Sequence, residues 1–70
     1  MPIFLAPINR EVTVRHVSCD QKETTRLASL GITKDAQVTV LSSQGGAVVL
    51  LIRGSRLALD RVTASKIFVA

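Results

Sequence analysis

The sequence has no tryptophan and no tyrosine, and its two phenylalanines, Phe4 and Phe68, lie near opposite ends of 70 residues. Proteins that grip RNA or single-stranded DNA commonly stack bases on aromatic rings. That platform is missing, which counts against a nucleic-acid partner. Cysteine is nearly absent too. Cys19 alone cannot close an internal disulfide, which fits a reducing compartment. Apart from Met1, Cys19 and His16 are the only soft metal ligands, whereas a tetrahedral zinc site takes about four of that type. No structural metal is expected. No apolar run approaches the ~20 residues of a membrane span. The apolar opening "MPIFLAPI" is short for a signal core and is interrupted by Pro7. The expectation is a cytoplasmic protein with no direct membrane insertion.

Acid is the scarcer charge, with five Asp and Glu against nine Lys and Arg, a net +4. The excess is uneven. Residues 1–35 carry five bases and four acids, while residues 36–70 carry Arg53, Arg56, Arg61 and Lys66 against Asp60 alone, or +3. A basic half suits an acidic protein, a nucleic acid or an anionic membrane face, and it also serves simply to keep a surface solvated. Chemistry is not written into the chain. His16 and Asp20 have no nucleophile at motif spacing, and no glycine-rich loop with a lysine follows a strand. No catalytic residue, cofactor or metal site is expected, so the chain is not read as an enzyme.

What is present is short-range order. The 70 residues suit one domain, 1–70. "REVTVRHV" alternates, with Val12 and Val14 on one face and His16 on that same face near the end. "DQKETTRLASLGI" reads as a short helix. Asp20 caps its start, Glu23 completes a box-like pattern, Leu27 and Leu30 share a face, and Arg26 points outward. Gly31 suits the left-handed stop, with Ile32 packing back on Leu27. "QVTVLSS" alternates again, "QGG" turns, and "AVVLLIR" reads as a central strand buried on both sides. "SRLAL" returns, "DRVTAS" is a capped helical turn and "KIFVA" is a last strand. The pattern suggests a mainly β, closed or half-closed small barrel of about five strands, with one short α-helix and a helical turn.

In "LIRGSRLALDR", Gly54 reads as a corner where one strand bends into the next. Leu57 and Leu59, two apart, then face inward. Arg53, Ser55 and Arg56 gather outside.

With those positions fixed, the chain resembles the FeoA family, the small cytoplasmic component of bacterial ferrous iron uptake. Arg26, Leu27, Leu30, Gly31 and Ile32 match the family's R-x-L-x-x-L-G-[IFM] helix end. Val38 and Val40 match its V-x-V strand, and Gly54, Leu57, Ala58, Leu59, Ala64, Ile67 and Val69 match its closing G-x-x-[LI]-A-L and I-x-V segments. Lys34-Asp35 stands where the family often has Pro-Gly, and the loop Ser42 to Gly46 is short. The resemblance implies an SH3-like barrel and a protein-interaction role beside FeoB, the membrane iron transporter with a cytoplasmic GTPase domain. At family level it also carries an association with transition-metal ions. The same barrel occurs at the C-terminus of iron-dependent repressors.

The cations expected to meet a partner are Arg53, Arg56 and Arg61, with Lys22 and Arg26 on the helix as the second choice. The chain is expected to be a monomer or a weak homo-oligomer. Two other functions compete. One is a small-barrel nucleic-acid binder or regulatory domain using the basic half. The other is direct iron carriage by His16, Asp20 and Glu23 where strand meets helix.

Overall fold

Alternating apolar and polar residues become a five-stranded antiparallel sheet in the computed structural model, which describes residues 1–70. A 3₁₀ turn at Ile3–Leu5 precedes β1 (Glu11–Val17), α1 (Gln21–Ser29), β2 (Gln37–Gln44), β3 (Ala47–Ile52), β4 (Ser55–Asp60), α2 (Arg61–Ala64) and β5 (Ile67–Val69). The strand order is β4-β3-β2-β1-β5, so β1 pairs with both β2 and β5, and the sheet coils towards closure between β4 and β5. Two bulges help it curl, one in β1 between Val14 and His16 and one in β2 between Val40 and Ser42. One apolar core fills the inside, with Val14, Val40, Leu50, Ile67 and Leu27 among its fully buried members. Removing such side chains from water supplies most of the drive to fold.

The helix ends as its sequence dictates. Asp20 accepts a hydrogen bond from the Glu23 amide at 2.8 Å. Glu23 does not complete a reciprocal box, because its carboxylate accepts from Arg26 instead. At the other end the Ile32 amide donates to the Leu27 carbonyl and the Gly31 amide to that of Ala28, both at 2.9 Å. These two bonds define a Schellman stop, and Gly31 sits at φ +98° to allow it. Leu30, expected on the Leu27 face, is instead 38% exposed. It is the C-cap, one residue past the last helical position, and Ile32 fills the core place below it.

Three further expectations are corrected. The run Ala47–Ile52 alternates; Val48, Leu50 and Ile52 are buried while Leu51 is exposed. A strand flanked by two neighbours in a single curled sheet still has one outer face. His16 lies outside, because the β1 bulge at Arg15 shifts the alternation by one residue. Gly54 is not a bend within a strand. Arg53 and Gly54, at φ +52° and +77°, are the two central residues of a hairpin turn, and Ile52 pairs with Ser55 across it. Positive φ at both places is what that hairpin geometry demands. A Cβ at Gly54 would meet nothing within 4 Å, so the need there is conformational and not steric. Asp35, standing where the family favours glycine, adopts φ +72°.

Residues 1–5, read only as an apolar opening, belong to the core wall. Pro2 bridges to Phe68, and Ile3 is fully buried.

Candidate protein-interaction surface

The five cations fall into three places. Arg53 and Arg56 belong to the β3–β4 hairpin and are exposed. Arg53 leans towards the end of α1, since a Cβ on Gly31 would lie 3.6 Å from its Cδ. A cation near a helix C-terminus is favoured by the partial negative charge of the last carbonyls. Arg56 pairs across strands with Leu51, and Leu51 pairs on its other side with Thr39 of β2. An exposed leucine thus sits in one row with an arginine, and Val49 beside Ala58 forms the next outward row. Leu57 is half-buried and Leu59 buried, both against the core, which leaves this outer row free.

Lys22 and Arg26 lie four residues apart on α1 and so share one face. Lys22 is exposed. Arg26 is engaged by Glu23, with its Nε at 3.0 Å from Oε1 and Nη2 closer still. That hydrogen bond first, and the Glu23 charge second, raise the Arg26 pKa above its ordinary value.

Arg61 begins α2 at the far end of β4, roughly 17 Å of strand from the Arg53 turn at ~3.3 Å per residue. Its guanidinium lies 4.8 Å from the centre of the Phe4 ring. One face of this cation is therefore already in use within the fold.

Asp60 caps α2 by accepting from the Thr63 amide at 3.2 Å. Hydrogen bonds from Thr63, side chain first and backbone second, lower its pKa below the ordinary 3.8. A depressed carboxylate pKa favours the folded state above the unfolded value, and the contribution fades as pH falls through the folded one. Asp60→Asn is accordingly expected to be less stable than wild type at neutral pH, with the difference shrinking below about pH 4. Paired melts at pH 7 and pH 3 measure it, and a gap that does not narrow between them would contradict the assignment.

The iron-carriage set does not assemble. His16 stands 6.1 Å from the Phe68 ring, Asp20 caps the helix, and Glu23 holds Arg26. No group of three His, Cys, Asp or Glu side chains is placed to hold a metal ion. Cys19 is a half-buried free thiol against the core. No helix is long and apolar enough to cross a membrane. Leu51 was not among the sequence candidates, because an apolar run gives no sign of which member faces out. Its cross-strand neighbour Arg56 supplies that sign once the hairpin turn is placed at Arg53-Gly54.

Five short strands curled about one core, with α1 capping between β1 and β2, define a small SH3-like barrel. The crystal structure of an iron uptake regulatory protein, FeoA, superposes with a TM-score of 0.89 at 21% identity, covering 99% of this chain and 93% of that one. A manganese-dependent transcriptional repressor superposes with a TM-score of 0.85 at 23% identity, covering all of this chain and 40% of the repressor. At such identities these two structures speak to the fold alone. The sequence relationship goes further. The FeoA domain profile matches residues 1–70. A candidate Fe(2+) transport protein A of Methanocaldococcus jannaschii is 32% identical over 68 residues, 97% of this chain and 83% of that protein. The chain belongs to the FeoA family, a family linked to ferrous iron transport.

Proposed function

We propose that residues 1–70 act as one interaction domain in ferrous iron uptake, binding the cytoplasmic region of an FeoB-type membrane transporter and supporting or regulating it without catalysing a reaction. Family membership supplies the iron-uptake setting. The observation that carries the binding reading is the outer face of the β3–β4 hairpin, where exposed Leu51 lies across from Arg56 and next to the Arg53 turn. An apolar centre with arginine beside it is the composition favoured at protein interfaces. Neither arginine is in an ion pair within the chain, so both guanidiniums are available for forked contacts with carboxylates. Electrostatic matching of this sort acts mainly on association rate and specificity.

The test is calorimetry of Arg53→Glu/Arg56→Glu against the isolated cytoplasmic part of the transporter. Both positions are exposed, so the variant is expected to fold, and binding is expected to weaken at least about tenfold, or ~1.4 kcal/mol. Wild-type affinity in the folded variant moves the interface off this hairpin, with Lys22 and Arg26 on α1 the next face to reverse.

The repressor likeness favours a second reading, a regulatory or nucleic-acid-binding barrel using the basic half. Duplex binding with a steep salt dependence in a gel shift would support it.

A further inference from the structure

A groove of about 240 Å³ runs between the end of β1, the outer side of α1 and the loop that follows the helix. Its floor is apolar, made by Val17, Ala28 and Ile32. Every ionisable side chain on its walls is a base: Arg15 and His16 from β1, and Lys34 from the loop. Two features of the chain put them together. The β1 bulge turns His16 outward beside Arg15, and the left-handed Asp35 turns the loop back against β1, where its amide donates to the Val14 carbonyl at 2.7 Å. The groove shares no residue with the β3–β4 hairpin patch, and β2 separates β1 from β3 in the sheet.

We propose that this groove binds a short acidic peptide segment, with a carboxylate between Arg15 and Lys34 and an aliphatic side chain such as leucine on the Ala28 floor. Charge and size both point there. Two cations, Arg15 and Lys34, with no acid on the walls call for an anion. The volume is below the roughly 300–1,000 Å³ of pockets that enclose whole small molecules, which suits one or two side chains. The apolar floor separates a peptide from a free inorganic anion, because phosphate would gain nothing from Val17, Ala28 or Ile32. The Thr24 hydroxyl, which also lines the groove, already donates to the Cys19 carbonyl at 3.3 Å. Asp35 approaches Arg15 at 3.8 Å, with both side chains more than half exposed. So loose a pair is weak, and an incoming carboxylate can take over the guanidinium.

The test is an amide NMR titration of the isotope-labelled chain with the synthetic peptide acetyl-Leu-Glu-Glu-Leu-amide. Shifts are expected at Ala28, Thr33 and Lys34. Binding is expected to weaken by about tenfold or more with the glutamine analogue, and likewise in Lys34→Glu, whose exposed site leaves the fold intact. In Arg15→Glu/Lys34→Glu, acetyl-Leu-Lys-Lys-Leu-amide is expected to bind in place of the acidic peptide. Equal binding of the glutamine analogue would overturn the proposal, as would the same shifts with inorganic phosphate. Silence at the groove up to millimolar peptide would overturn it too. None of these readouts uses the transporter, so their failure and that of the hairpin interface are separate results.

Discussion

Gly31→Val is expected to lower the melting temperature by roughly 12–24 °C, from a loss of about 3 kcal/mol at 4–8 °C per kcal/mol in a domain of this size. Two costs add. Gly31 holds φ +98°, a conformation that a β-branched residue adopts only under strain of ~1–3 kcal/mol. A Cβ there would also stand 3.2 Å from Cδ1 of Ile52, which is itself buried at 4% exposure. Ile52 ends β3 inside the core and cannot swing into solvent without exposing apolar surface. Gly45→Ala separates the two costs, since Gly45 has φ +64° with nothing within 4 Å of a Cβ. It is expected to show the backbone part alone. A Gly31→Val melt within ~2 °C of wild type would mean that the end of α1 is not pinned against β3, because even 1 kcal/mol moves the transition further than that.

The Schellman stop that makes Gly31 vulnerable was readable from six consecutive letters. Leu27 to Ile32 carry their own instructions, because a left-handed glycine and its two hydrogen bonds are local events. The same holds for Asp20 and Asp60, each three residues before the amide it caps. Strand alternation in β1 and β2 was legible for a related reason, since a half-buried strand writes its faces in period two. Failures came where the deciding partner is distant. His16 changes face because Arg15 is an extra residue opposite β5, some 50 positions away in sequence. Leu51 faces out because β3 lies between β2 and β4 in one curled layer, which "VVLLI" does not reveal. The candidate surface was legible in part. Arg53 and Arg56 fall together because a two-residue turn is local, whereas the stacking of Arg61 on Phe4 joins opposite ends of the chain.

Ile3→Ala is expected to cost about 2–4 kcal/mol, within the range for emptying a buried isoleucine site. By contrast, Leu5→Ala, two residues on and 62% exposed, is expected to change stability by less than ~0.5 kcal/mol. The sequence offers no basis for treating these neighbours differently; the barrel does. Its strand order leaves β4 and β5 unpaired with each other, and an open side between them would admit water to the core. The first residues lie against β5, β2 and α2 and cover the core on that side. The Val69 amide donates to the Met1 carbonyl at 2.8 Å, Pro2 bridges to Phe68, and the Ser43 hydroxyl donates to the Phe4 carbonyl at 3.1 Å. Held at these points, Ile3 points inward with no exposed surface, while Leu5 lies over the outside. Because β5 is only three residues long, it gains from this added edge contact as well as from β1. Loss of the Ile3 side chain therefore leaves a cavity beside the shortest strand, where the structure can partly collapse, which is why the expected cost stays below the top of the range. Denaturant melts of the two variants decide it: equal and small effects would mean that residues 1–5 merely rest on a core complete without them.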